Sequence, residues 1–266
     1  MKKIISLILA ALLLTTLVSA ALAESAILSP AEVVDKLLEY DQYQEDAEGQ
    51  AANAAQRLAE MMVYIASLNA NEGHMETLRG ILDTLNEAEG SDAGVLQYIG
   101  IGCVQTVQAL IVLAQESDPD GVYEESLDAI IDAHNAGDAD AETASEQIVN
   151  ALLTCVKLTA LIDQESCSTQ DQLDQIVASG DQINADIDAA GTVEDQMAVG
   201  AKWLCKLLGA FAKLHNPDCA ADIDAQIEGR ESYIAEEEMG PQQALYQYLT
   251  GSIYNMGIFT GAVTMD

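Results

Sequence analysis

Basic residues are scarce in this sequence of 266 residues, since 10 Lys and Arg stand against 44 Asp and Glu and give a formal net charge of −34 at pH 7. Such a field repels nucleic acid, and no basic stripe is present to bind it, so nucleic-acid binding is excluded. The chain is nevertheless 50% hydrophobic, which is too apolar for a disordered acidic tail. We therefore predict a folded acidic protein with a protein or peptide partner, and the charge favours a cationic one.

Aromatic residues are also few, at 5% of the chain, and no stretch shows the sustained apolar–polar alternation that is typical of strands. Helix start signals recur instead. Ser29-Pro30 is followed by Glu32, and Thr143 is followed by Glu146, which places a capping hydroxyl three residues before an acid. The sequence predicts an all-α fold.

Enzyme motifs are missing. The sequence contains no G-x-S-x-G, no H-E-x-x-H and no phosphate-binding P-loop, and we assign no catalytic residue. The histidines His74, His134 and His215 fall near predicted helix ends, where we expect caps or solvated side chains. An all-α enzyme that uses carboxylates for acid–base chemistry is the alternative function.

The first 23 residues have the pattern of a secretory signal peptide. Lys2 and Lys3 precede an apolar run over residues 4–18, and Ala21-Leu22-Ala23 fits the small-x-small cleavage rule. No cysteine follows the cleavage site, so a lipid anchor is not expected. We predict an exported, unanchored protein of bacterial type with one all-α repeat domain over residues 24–266.

A two-helix pattern recurs about every 46 residues between residues 29 and 260. Its marker is an Asp between aliphatic residues, at spacings of 48, 45, 46 and 50 residues, and a more apolar segment follows each marker. The pattern predicts five helix–turn–helix units stacked as an α-hairpin repeat array, with a closed ten-helix bundle as the alternative. The glycines that close the first helices are expected as C-caps, and they are Gly49, Gly90, Gly137, Gly191 and Gly240. The apolar segments are residues 50–68, 93–115, 143–163, 192–215 and 242–260.

Residues 93–115 and 241–265 carry no charge and are long enough to cross a bilayer. The corresponding segments of other units hold Arg57, Lys157 and Lys202, which a bilayer interior disfavours. We therefore expect inner-layer helices of a soluble array and no membrane insertion. A membrane-associated or structural envelope protein is the second alternative function.

Five cysteines permit disulfides in an exported chain, and the odd number leaves one thiol over. Cys167 and Cys219 lie in loops after corresponding helices, so their pairing is the simplest bridge. The competing scheme pairs Cys155 with Cys167 and Cys205 with Cys219. Cys103 is left as a buried thiol in both schemes.

Residues 116–121 resemble the first half of an EF-hand calcium loop, with Glu116, Asp118 and Asp120 at alternate positions. The twelfth position is Leu127 where a bidentate Glu is needed, and Pro119 stiffens the loop. A looser Ca²⁺ site stays open, beside the simpler interpretation of solubilising acidic loops. No other cofactor is indicated.

The five marker aspartates are the candidate binding residues. In a repeat array they would form a row of carboxylates along one face, which suits a cationic partner. The favoured function is an exported, acidic, non-enzymatic binding module, with a divalent-cation site as an open addition. The marker residues are Asp35, Asp83, Asp128, Asp174 and Asp224.

Overall fold

The computed structural model describes residues 26–41, 46–89, 91 and 93–264, so the predicted signal peptide lies outside the described residues. Within these ranges the chain forms ten α-helices, one short 3₁₀-helix (Pro217–Cys219) and no strand, which confirms the all-α fold. The helices are α1 (Pro30–Asp41), α2 (Ala47–Ser67), α3 (Glu72–Glu89), α4 (Val95–Ser117), α5 (Glu124–Asp140), α6 (Ala144–Ser166), α7 (Gln170–Ala189), α8 (Val193–His215), α9 (Ala220–Glu236) and α10 (Pro241–Thr260).

The even-numbered helices are the inner helices, because they bury far more of their residues than the odd-numbered ones. Ten residues of α4 are buried, against two of α5. Each inner helix packs against the next inner helix along the chain, and α10 packs against α2. Each outer helix packs against the inner helix that precedes it and the inner helix that follows it in the chain. The first outer helix, α1, packs against α2 and against the last inner helix, α10.

The inner helices share one register and run parallel. Their N-caps are Asp46, Gly94, Thr143, Thr192 and Gly240, at spacings of 48, 49, 49 and 48 residues. The Thr143 and Thr192 side chains accept hydrogen bonds from the backbone N–H three residues on, which stabilises these helix starts.

Residues at the same distance from the N-cap are buried in all five inner helices. The fifth position is apolar in each helix, and the twelfth includes three small residues, which fits close approach of the helices. The fifth-position residues are Ala51, Ile99, Ile148, Met197 and Leu245, and the twelfth-position residues are Leu58, Thr106, Cys155, Leu204 and Ser252.

The glycine C-cap predictions are wrong where the structure describes them. Gly49 lies in the first turn of α2, Gly137 lies inside α5, and Gly240 is the N-cap of α10. Among the described residues, the glycines with positive φ are Gly121 at 67° and Gly261 at 74°, and Gly261 is the C-cap of α10. Four other helices end in extended or right-handed backbone that any residue adopts. Their C-caps are Leu68, Ala141, Cys167 and Ala190, the last of which directly precedes Gly191.

Two of the described helices, α4 and α6, are long and apolar enough to cross a membrane by length and composition alone. Half of the most apolar window of each is buried inside the protein. A core helix of a soluble protein meets the same criteria, so these two helices are weak evidence for a membrane span.

Candidate functional site

Each marker aspartate lies on a different outer helix, so the five carboxylates are distributed over five helices and are not gathered in one pocket. Asp35, Asp128, Asp174 and Asp224 are exposed, and Asp83 is half-buried. Gln170 donates to Asp174 at 2.8 Å, and the Lys213 ammonium lies 2.8 Å from Asp224. The remaining exposed carboxylates are available to solvent and to a partner.

Three lysines on the outward side of α8 join it to both neighbouring outer helices. Lys202 lies 3.5 Å from Asp186 of α7, and Lys206 lies 2.9 Å from Glu231 of α9. Trp203 also donates to Asp186 at 3.0 Å, and these contacts lower the pKa of that carboxyl, led by a hydrogen bond from Gln182. The cations on this helix therefore neutralise acidic outer helices.

A buried ion network joins α1, α2 and α3. The Arg57 guanidinium donates two 2.7 Å hydrogen bonds to Glu60 and also contacts Glu89, while Lys36 lies 3.8 Å from Glu60. The Arg57 and Glu60 side chains are only 5% and 7% exposed. Burial raises the pKa of Glu60, although Arg57 opposes the shift. The network fixes the helix register at this hairpin, because an unpaired charge there would be costly.

The most complete polar cluster surrounds His134, which is 5% exposed between α5 and α6. Its Nδ1 lies 3.1 Å from both Asn150 Nδ2 and Thr154 Oγ1, and its Nε2 lies 3.6 Å from Asp138. Asn150 also donates to Asp138 at 2.6 Å. A hydroxyl, an imidazole and a carboxylate thus stand in line, as in a nucleophilic site. Because Thr154 is 3% exposed and donates to the Asn150 carbonyl, the cluster acts as a structural link between two helices.

We expect His134 to make stability depend on pH. Burial lowers the pKa of His134, with Asp138 opposing, so the unfolded chain takes up a proton at a higher pH than the folded protein does. His134→Gln should unfold more easily than wild type by about 1–2 kcal/mol at pH 7.5. That difference should shrink below about pH 6.5, since protonation of the unfolded histidine then destabilises only the wild type. Urea titrations at both pH values measure it, and a difference that grows on acidification would contradict the argument.

The predicted calcium ligands do not converge on one point. Glu116 accepts hydrogen bonds from Asn71 N at 3.0 Å and Asn71 Nδ2 at 2.9 Å, and it contacts His74, which together lower the pKa of its carboxyl. The Asp118 carboxylate accepts from the backbone N–H groups of Val122 and Tyr123 at 2.7 and 2.8 Å. Across the described ranges, no group of three or more His, Cys, Asp or Glu is arranged to hold a metal ion. Asp120 is exposed in the same turn.

All five cysteines are free, so neither predicted pairing scheme is formed in this structure. The Cys167 thiol donates to the Asp163 carbonyl at 3.1 Å, and the Cys219 thiol donates to the Asn216 carbonyl at 3.0 Å. Each loop thiol is therefore satisfied by its own chain segment. Cys103 is buried as predicted, and burial raises its pKa to about 12.

Asp163 is an isolated carboxyl in the interior. It is 0% exposed on α6, and neither of its carboxylate oxygens has a hydrogen-bond partner among the described residues. Burial raises its pKa well above the usual range, so the neutral form is favoured in the fold. The corresponding residues, counted from the N-caps, are Ala66, Ala114, Ala212 and Thr260.

Two open surface grooves lie at the loops between hairpins. One, of about 480 Å³, is lined by Ala47, Thr192, Pro241 and neighbouring residues at the start of three inner helices. The other, of about 470 Å³, contains Asp186 and Lys202, which already pair with each other. Neither groove gathers the convergent, pKa-shifted carboxylates that acid–base catalysis requires.

Sequence reasoning missed the buried polar residues. His134 was expected as a solvated or capping residue, yet it is buried because the helix continues past it to Asp140. Gly137 could have indicated the burial of His134. A methyl group at Gly137 would collide with Asn150, so only glycine leaves room for the Asn150 side chain that contacts His134. Asp163 carries no comparable signal in its local pattern.

Neither a known protein family, nor a curated protein, nor a solved structure matches this chain.

Proposed function

We propose that the protein is an exported, non-enzymatic binding module whose acidic outer surface binds a cationic protein or peptide. The observation that carries this proposal is a difference between the acidic and the basic side chains in exposure and pairing. Carboxylates are exposed on all five outer helices, whereas the lysines of α8 and Arg57 are engaged in ion pairs. The surface field is therefore negative, and such a field accelerates encounter with a positively charged partner.

We also infer that the five hairpins are copies of one repeat closed into a ring. The regular N-cap spacing, the shared buried positions and the contacts of α10 with α1 and α2 support this arrangement. In a ring the marker aspartates surround the molecule, so a partner would meet carboxylates from any side. Export is supported by the pattern of residues 1–23.

Binding of the mature chain, residues 24–266, to cytochrome c tests the proposal, with lysine-acetylated cytochrome c as the control that lacks the lysine charges. We expect a dissociation constant in the micromolar range at low salt. It should weaken by about tenfold or more when 150 mM salt is added, because screening acts on exposed charges. Equal binding to the acetylated protein, or no binding to either, would contradict the proposal.

The role of the marker positions is tested by a matched pair of triple variants. Neutralising Asp35, Asp128 and Asp174 to Asn should weaken binding more than the control triple Glu39→Gln, Asp140→Asn and Asp181→Asn. All six residues are exposed on the same three outer helices, and both triples remove the same net charge. Equal weakening would show that only total charge matters.

A further inference from the structure

We propose that the groove over α4, between α3 and α5, binds a cationic amphipathic helix. The α4 groove is defined by the outward face of α4 and the two outer helices beside it. This inference rests on the proposed function and assigns it a place and a partner class.

The floor of the α4 groove is uncharged and consists of aliphatic residues and two glutamines. No charged residue occurs from Val95 to Gln115, although α4 is 23 residues long. Its partly exposed residues recur at helical spacing, so they form one continuous stripe. The stripe consists of Ile101, Val104, Gln105, Gln108 and Ile111.

The groove is open because α5 packs mainly against α6 and only lightly against α4. His134 and Gly137 of α5 hold it against Asn150 of α6. The outer helices on both sides are acidic and contribute exposed carboxylates. These are Glu72, Glu76 and Glu87 on α3, and Glu124, Glu125, Asp128 and Asp132 on α5.

Lysine and arginine are scarce beside these carboxylates, because Arg79 on α3 is the one Lys or Arg of the two flanking outer helices. The 77 residues between Arg79 and Lys157 contain 15 Asp and Glu and no Lys or Arg. The inner helix α8 differs from α4 at three positions that lie at the same distance from the N-cap. At the sites where α8 places Lys202, Lys206 and Lys213, α4 has Val104, Gln108 and Gln115.

The contacts of α8 show what is missing at α4. Lys202 and Lys206 reach the outer helices on either side of α8 and pair with their carboxylates. At α4 the carboxylates are present and the lysines are absent. A partner that brings an apolar stripe flanked by Lys or Arg would complete the same arrangement.

A helix is the element that fits this groove. The structure offers no sheet edge among the described residues, so β-strand addition is not available. A helix can lay an apolar face along a groove between two other helices and present cations to both walls. The stripe from Ile101 to Ile111 is about 15 Å long at 1.5 Å per residue, so it matches about three turns of a partner helix.

The test uses a 21-residue Leu/Lys peptide with helical amphipathic spacing and a scrambled peptide of the same composition. The mature wild type should bind the amphipathic peptide at least about tenfold more tightly than the scrambled one. Gln108→Lys places a lysine where α6 has Lys157 and α8 has Lys206, and it should weaken binding at least about fivefold. Gln164→Lys adds the same charge to the outward face of α6 and should stay within about twofold of wild type.

The outcomes separate the groove from the wider proposal. If both lysine variants weaken binding equally, or if the two peptides bind equally, the proposed binding site at α4 is contradicted. Binding to cytochrome c would in that case still support the proposed acidic binding module. If neither the peptides nor cytochrome c bind, both proposals fail. Circular dichroism of the two variants should match wild type, since each position is partly exposed.

Discussion

Asp163→Ala should stabilise the protein by about 1–3 kcal/mol near pH 4, which is the usual cost of a buried polar group without partners, and by more than that at pH 7. The reason is positional. Ala66, Ala114 and Ala212 fill the corresponding sites of three other inner helices, and all three are 0% exposed. The backbone at this position therefore already accommodates a methyl group. Thermal and urea unfolding of wild type and variant give the difference.

The pH dependence identifies the cause of that stabilisation. The folded protein holds the Asp163 proton because burial raises its pKa, whereas the unfolded chain releases it near pH 4. The unfolded state therefore binds fewer protons above pH 4, and wild-type stability falls relative to the variant by up to about 1.4 kcal/mol per pH unit. The decline should continue until the folded carboxyl itself ionises.

Two controls accompany Asp163→Ala. Asp181→Ala removes an exposed carboxyl of α7 and should change stability by less than about 0.5 kcal/mol. Asp163→Asn removes the titrating group but keeps a buried polar side chain. Its stability should therefore lose the pH dependence, and it should increase less than that of Asp163→Ala. If Asp163→Ala is less stable than wild type at pH 7, the carboxyl has a partner that stabilises its charge.

Gly102→Ala should destabilise the protein by about 1–3 kcal/mol, the usual cost of overpacking. A methyl group there would lie 2.6 Å from the Ala55 carbonyl carbon and 2.8 Å from its oxygen, so backbone of α2 would have to move. Gly100→Ala is the matched control on the same helix. Its methyl group would lie 3.7 Å from Ile148, in ordinary contact.

The control should gain up to about 1 kcal/mol, because alanine favours the helix over glycine. The two variants should therefore move the melting temperature in opposite directions, by about 2–4 °C per kcal/mol for a domain of this size. Differential scanning calorimetry measures both. Equal melting temperatures would mean that α2 and α4 are farther apart than the structure places them.

The sequence alone predicted the helices well, because apolar periodicity and capping are local signals. The inner segments expected over residues 192–215 and 242–260 correspond to α8 (Val193–His215) and α10 (Pro241–Thr260). Thr143 caps α6 as its spacing to Glu146 indicated, and Thr192 caps α8 in the same way, three residues before Asp195. These features depend on residues within one or two turns of each other.

Features that depend on distant residues were not predictable in the same way. The packing of α10 against α2 joins opposite ends of the chain, and no spacing within either helix indicates it. Asp163 occurs in a helix that also carries exposed polar residues, so its polarity alone suggests a surface position. Only the packing of the surrounding helices buries it.

The contacts between α10 and the first hairpin also constrain the order of folding. Gln242 donates to Glu48 across 194 residues of sequence, and Tyr246 donates to Asp41 across 205. Contacts of such separation form slowly, since the loop-closure entropy is lost before the contact is gained. While the chain is being synthesised, the side of α2 that packs against α10 therefore stays uncovered until the last helix is made. A chaperone that shields this side would prevent its association with other chains.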